Sequence, residues 1–434
     1  MLSREENEYL TQTGPGTPMG NFMRRFWMPF MLSEEIAKAD CPPVRVTLLG
    51  EKLLAFRDTD GRAGLVDQFC PHRRVSLFFG RNEGCGIRCV YHGWKFDIDG
   101  NCVDLPSEPA DSAFKDKIKL KSYPVREKAG IVWAYLGPAA LMNGLPDLEW
   151  MNLPIDYRYM SRWYQECNFA QAVEGEIDSA HVSFLHSKLD NDAKNKAALT
   201  GAYFSGDTAP KWKVTEADFG MTLGARRRVE DGRYYWRMNQ WLYPFYTMIA
   251  PVPGESRTTR MWVPADDGHC NIICITYRND KPVSEQELDN WRTGAVAHAA
   301  RKPGTLTPSA NPANDYNIDR DLQIRESFTG IVGIRAQDAA MTESPGPIVD
   351  RSLEHLGTSD TAIIRMRKLL IDGARNLENG IEPAAAGDGA IYRVRSHSVV
   401  INEDVDFDER ADILEGMRVG GTSDGAGPGS RAAE

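Results

Sequence analysis

No apolar run in these 434 residues is long enough to cross a bilayer. The most hydrophobic stretch, Tyr243 to Val252, is short and broken by Pro244 and Pro251, whereas a spanning helix needs about 20 predominantly apolar residues. No membrane association is expected. The first ten residues are rich in Glu and lack the basic start and apolar core of a secretory leader, so a cytoplasmic location is expected. Positive charge is also scarce, with 51 Lys and Arg against 61 Asp and Glu for a net charge of −10. Like-charge repulsion therefore disfavours nucleic acid or an anionic membrane as a partner, while leaving room for a local basic pocket. There is no glycine-rich phosphate loop and no dinucleotide fingerprint, which excludes those routes to a bound nicotinamide or flavin. No internal repeat is present. Cysteine is sparse and irregular: eight residues, at 41, 70, 85, 89, 102, 167, 270 and 274. In a reducing compartment such cysteines are metal ligands or buried thiols rather than disulfides.

A hydrophobic content of 42% is ample for a core, and the length exceeds what one core supports, so two domains are expected. Residues 1–43 read as helix and loop, with Met23, Phe26, Trp27 and Phe30 at mixed helical spacing before Cys41-Pro42-Pro43. This N-terminal segment is expected to pack on the larger, C-terminal domain. From Val44 the period becomes two, with Val46 and Leu48 alternating and turn signals at Gly50-Glu51, Asp60-Gly61 and Asp99-Gly100. Residues 44–154 are therefore expected to be a small all-β domain plus a Pro/Gly-punctuated linker that follows Ile131–Leu136. In 155–418, helical patterns at Asn168–Leu185 and Ala336–Leu377 flank strand-like runs at Met221–Val229, Tyr234–Thr247, Thr258–Val263 and Asn271–Tyr277. That order predicts an α+β domain whose helices cover one antiparallel sheet, resembling a helix grip. Residues 419–434 are expected to be a disordered tail.

Two short clips carry the first chemistry. Cys70-Pro-His72 and Cys89-Val-Tyr-His92 each present one cysteine and one histidine from a turn of the β domain. Two thiolates and two imidazoles fit a [2Fe–2S] cluster of Rieske type, with the cysteines on one iron and the histidines on the other. The same four residue types make a zinc set, but zinc clips pair cysteine with cysteine and histidine with histidine. Cys85 and Cys102 lack such partners and read as small buried side chains.

The second set lies in Glu174-Gly-Glu-Ile-Asp178-Ser-Ala-His181-Val-Ser-Phe-Leu-His186. Two neutral nitrogens and one carboxylate, with positions left open, suit a mononuclear iron that meets O2 and substrate. Residues five apart do not share a face of a continuous helix, so the helix is expected to distort or end between His181 and His186. Alone, the pair would read as core histidines.

Cys70-Pro-His72-Arg73-Arg74 and Cys89-Val-Tyr-His92-Gly93-Trp94-Lys95-Phe96-Asp97 resemble the Rieske motif of ring-hydroxylating oxygenases, and the resemblance spans nearly the whole chain. Asn314-Asp-Tyr-Asn-Ile-Asp-Arg320 and Glu343-Ser-Pro-Gly-Pro-Ile-Val-Asp-Arg351 are most similar to the phthalate dioxygenase branch. The resemblance places Trp94 beside the cluster. It also takes the iron carboxylate from a late helix bearing two acids, here Asp338, with Glu343 as the alternative. Asp178 matches the family's bridging carboxylate between an iron histidine and a cluster histidine of the neighbouring subunit. From it follow a trimer or stacked trimers, a separate flavin/iron–sulfur reductase as the only route for NAD(P)H electrons, and cis-dihydroxylation with O2. The alternatives are a monooxygenase or O-demethylase of an aryl ether and, in a different class, an electron carrier with a docking domain.

The substrate is expected to be an aromatic mono- or dicarboxylate of phthalate or benzoate type. Arg226-Arg227-Arg228 precede an Asp231-Gly232 turn, and Arg237 lies in the next strand. Alternation puts Arg227 opposite its two neighbours, and an arginine turned toward the covering layer needs a partner such as a substrate carboxylate. Arg227 and Arg237 are the candidate anchors; solvated or locally paired arginines are the bland reading.

Overall fold

The computed structural model describes the chain except residues 110, 190–200, 205, 230, 231, 253, 403 and 421–434. Asp231 of the expected turn and all of the expected tail beyond Gly420 thus lie outside the described residues. The chain forms two compact units, Gln12–Met142 with Val263–Asp267, and Met1–Thr11 with Asn143–Trp262 and the chain from Gly268 on. The N-terminal 43 residues are therefore divided, where the sequence suggested one segment on the catalytic domain. Only the first helix, α1 (Arg4–Thr11), goes with the larger unit.

The smaller unit is built from three antiparallel sheets. Strands β1 (Trp27–Leu32), β10 (Val125–Lys128) and β11 (Ile131–Tyr135) form one, in the order β1-β11-β10. β2 (Val44–Leu48), β3 (Glu51–Arg57), β4 (Ala63–Asp67) and β9 (Ser122–Tyr123) form the second. Four short strands, β5 (Arg81–Asn82), β6 (Ile87–Arg88), β7 (Lys95–Phe96) and β8 (Cys102–Asp104), form the third. The helical spacing at Met23–Phe30 is misleading. A helix does run from Pro18 to Met23, capped by Thr17, but Trp27–Leu32 is a strand buried at every position. An apolar run buried on both faces carries neither period, and β1 is an edge strand, where Pro29 is tolerated. The core of this unit includes Leu54, Phe56, Val66 and Ile87 and, within the same cluster, Cys70 and Cys89. Gly100 in the Asp99-Gly100 turn has φ 78°, and a Cβ there would lie 2.0 Å from the Leu120 carbonyl oxygen.

In the larger unit, eight strands form one sheet in the order β12-β18-β17-β16-β15-β14-β13, with β19 also paired to β15. They are β12 (Arg158–Gln165), β13 (Lys211–Ala217), β14 (Gly220–Arg228), β15 (Tyr234–Leu242), β16 (Tyr246–Ile249), β17 (Arg257–Asp266), β18 (His269–Tyr277) and β19 (His397–Ile401). β12, β13 and β19 carry mixed polar patterns and were not legible as strands. One face of β15 packs Trp236 and Met238 against Phe407, Ile413 and Met417; the other turns Tyr235 toward Val182 and Phe204. On that second face lie α2 (Phe169–Ile177), N-capped by Asn168, and α3 (Val182–Leu185). The long helix suggested for Ala336–Leu377 is two, α4 (Ile334–Glu343) and α5 (Thr361–Glu378), because Pro345 and Pro347 stand between them and cannot continue a helix.

Candidate metal centres and substrate cavity

The two clips meet at one end of the smaller unit. Cys70 and His72 lie in the loop after β4, and Cys89 and His92 in the turn between β6 and β7, where the Gly93 amide donates to the Cys89 carbonyl at 3.0 Å with Gly93 at φ 78°. Both thiols are buried, at 1% and 3% exposure, whereas His72 is exposed. The imidazoles of His72 and His92 have ring centroids 4.5 Å apart, and Trp94 stacks on His72 at 4.4 Å with its Nε1 donating to Ser107. Burial pushes the Cys70 thiol up to about 11, and Cys89 lies beside it; the two do not form a disulfide. His92 Nδ1 is buried without a hydrogen-bond partner. Two adjacent buried thiols and an orphaned imidazole nitrogen next to them are the donor set a cluster with inner thiolates and outer imidazoles requires.

In the larger unit α2 ends at Ile177 with Asp178 as its extended C-cap, and one turn of α3 carries His181 at its start and His186 at its end. The distortion falls on both sides of that turn: at 178–180, and at His186, whose backbone leaves helical values at φ −98°, ψ 7°. His181 Nε2 and His186 Nε2 are 3.3 Å apart, and Asp338 Oδ1 on α4 lies 3.5 and 3.1 Å from them. Three donor atoms thus face one point, and Asp338 Oδ1 has no hydrogen-bond donor of its own. This fits a two-histidine, one-carboxylate ion.

The protons are arranged to suit. Gln337 Nε2 donates to Thr329 and to the Ile331 carbonyl, which leaves its Oε1 to accept from His186 Nδ1 at 2.7 Å. His186 Nε2 then keeps its lone pair for a metal. His181 Nδ1 lies 3.4 Å from Asp178 Oδ2. Burial alone would raise the Asp338 carboxyl, but His186 and Arg335 outweigh it and hold it well below the usual range. Glu343 is elsewhere: it accepts from the Tyr316 hydroxyl and from the Glu166 amide. The alternation argument for the arginines holds. Arg226 pairs with Asp404, while Arg227 and Arg237 both turn inward to Ser179. Arg227 is fully buried, its Nη2 donating to the Ser179 carbonyl at 2.5 Å. Arg237 instead lines a cavity of about 230 Å³ shared with His181, His186, Asp338, Val252 and Trp291. Arg335, Gln337 and Glu176 were missed as site residues. The positions of Arg335 and Gln337 within a turn of Asp338 on one helix were the available signal.

Residues 26–124 match the model of the Rieske [2Fe-2S] domain, and residues 134–416 that of the LigXa C-terminal domain like family. The chain is 38% identical to the 3-chlorobenzoate-3,4-dioxygenase oxygenase subunit of Comamonas testosteroni, over 90% of this chain and 93% of that one. It is 37% identical to the phthalate 4,5-dioxygenase oxygenase subunit of Pseudomonas putida, over 94% of each. Among solved structures, dicamba monooxygenase bound to dicamba shares the fold, with a TM-score of 0.58 at 20% identity over 83% of this chain and 99% of that one. The chain belongs to the Rieske non-heme iron oxygenases, as an oxygenase subunit on their phthalate dioxygenase-like branch.

Proposed function

We propose that this subunit uses O2 and electrons from a separate flavin/iron–sulfur reductase to cis-dihydroxylate an aromatic carboxylate, with Cys70, His72, Cys89 and His92 holding the cluster and His181, His186 and Asp338 the iron. The observation that carries the substrate class is Arg237, a guanidinium on the cavity wall whose Nε has no partner and whose only side-chain contact toward an acceptor is a 3.4 Å approach to Ser179 among the described residues. Burial lowers its pKa, but a guanidinium is not deprotonated in proteins, so it stays a cation that favours an anion. A carboxylate meets that preference with two parallel hydrogen bonds. Arg227 is the weaker of the two expected anchors, because its Nη atoms are already engaged by Ser179.

When bound, iron supplies the place where O2 is activated and the cluster supplies single electrons. The chain's own residues do the rest. Gln337 and Asp178 orient the two histidines, Arg237 fixes one end of the ring, and Val252 and Trp291 hold its apolar body out of water. Asp178, in contact with His181, serves as the bridge to a cluster histidine of a neighbouring subunit, which calls for a closed ring such as a trimer. The test is coupled O2 uptake on phthalate, isophthalate, terephthalate, substituted benzoates and neutral arenes, with product analysis. Carboxylates yielding a diol support the proposal; phenol plus formaldehyde from an aryl ether moves it to O-demethylation, and a preference for neutral arenes removes the anchor.

A further inference from the structure

We infer that Arg335 is a positioning residue that keeps Asp338 a one-oxygen ligand. The two carboxylate oxygens have been given different work. Oδ1 faces both histidine nitrogens and accepts no hydrogen bond, while Oδ2 accepts from Arg335 Nη1 at 2.8 Å. For Oδ2 to swing onto a metal it must abandon a charge-assisted bond in a place where Arg335 is only 4% exposed and water cannot replace it. Nor can Arg335 follow the carboxylate. Its Nη1 also reaches Glu176 Oε2 at 3.2 Å, its guanidinium lies 5.2 Å from the Trp262 ring, and Glu176 Oε1 is itself paired with Arg260. Arg260 is anchored in turn, Nη2 donating to the Ala297 carbonyl at 2.8 Å.

Arg260, Glu176, Arg335 and Asp338 therefore form a buried row of alternating charge that runs from the cavity wall to the metal ligand. Its effect is on coordination number. With Oδ2 retained by Arg335, the protein gives the ion three donor atoms, two nitrogens and one oxygen, and the remaining positions stay open for O2 and water. Were both oxygens to bind, one of those positions would be lost.

The inference rests on the proposed assignment of His181, His186 and Asp338 as iron ligands, and the experiment separates the two. The mononuclear site of the full-length protein is emptied by chelation and refilled with Co(II), whose d–d absorption weakens as coordination number rises. Arg335→Gln should lose d–d intensity relative to wild type, Arg335→Lys should restore it, and the absorption of the Rieske cluster should stay the same in all three. Equal d–d spectra for wild type and Arg335→Gln overturn the inference. Should Arg335→Gln not fold, X-ray absorption on the Fe(II)-loaded wild type decides: one Asp338 oxygen on the metal supports the clamp, and two overturn it. Undiminished Co(II) binding by His181→Ala would show that the ligand assignment itself is wrong, and the clamp falls with it.

Discussion

Single side chains decide the chemistry here, and they can be tested singly. Arg237→Gln should leave both metal sites filled and raise KM for a benzoate or phthalate substrate by about 10- to 100-fold, the range of one charge-assisted hydrogen bond worth about 1.5–3 kcal/mol. Steady-state kinetics with an iron count check it, and an unchanged KM removes Arg237 from the substrate. Asp338→Ala should abolish turnover while the visible spectrum of the cluster persists; Glu343→Ala should keep turnover, because Glu343 is spent on Tyr316 and Glu166. The reverse pattern would exchange the two acids. Much at this scale was legible in the sequence. The cysteines and histidines announce themselves because each clip is local, so spacing alone carries the signal. Asp338 needed the family resemblance, since a carboxylate on a distant helix shows no spacing to His181. Arg335 and Gln337 could be placed near Asp338 by their position on one helix, but not given their roles, which depend on which way an oxygen and an amide point.

Elements are held together by buried charge as well as by apolar packing. Glu174 on α2 receives Arg351 at 3.0 and 3.1 Å and Arg367 of α5 at 2.8 Å, and the two arginines are 0% and 3% exposed. Burial alone would raise this carboxyl, but the two guanidiniums hold it below its ordinary value. Its folded pKa is thus depressed, so its stabilisation is complete above the unfolded pKa of about 4.3 and is lost as pH falls through the folded value. Glu174→Gln is expected to destabilise the protein by about 3–5 kcal/mol at pH 7, as breaking a buried pair does. It should also flatten the part of the acid-unfolding curve below about pH 4. Thermal melts across pH 3–8 read both effects, and an acid limb unchanged in the variant would count against the assignment. Nothing in the sequence signals this cluster, which joins residues far apart in the chain. The split between α4 and α5 could have been read, since Pro345-Gly346-Pro347 interrupts the apolar periodicity that seemed to run through it. The strand character of Trp27–Leu32 could not, because an apolar run buried at every position carries no period.

For the whole molecule the key side chain is Asp178. Asp178→Asn should keep the cluster and the mononuclear metal yet slow single-turnover reoxidation of the reduced cluster, measured by stopped flow. A monomer in solution with full activity would refute the ring arrangement behind this expectation. A last consequence follows from the loop between two of the three donors. The hydrogen bond that ties His186 to its helper Gln337 spans 151 positions of sequence, and an ion held by His181, His186 and Asp338 would close a slightly longer loop. Such an ion is a cross-link as much as a reactant: it withdraws from the unfolded chain the freedom of a very long loop, and its binding energy becomes folding energy. Chelation of the mononuclear site should therefore lower amide-exchange protection in 169–186 and 329–343 while the smaller unit around Cys70 and Cys89 keeps its own. Loss of that ion alone would then open the larger unit to proteases while the smaller one still resists them.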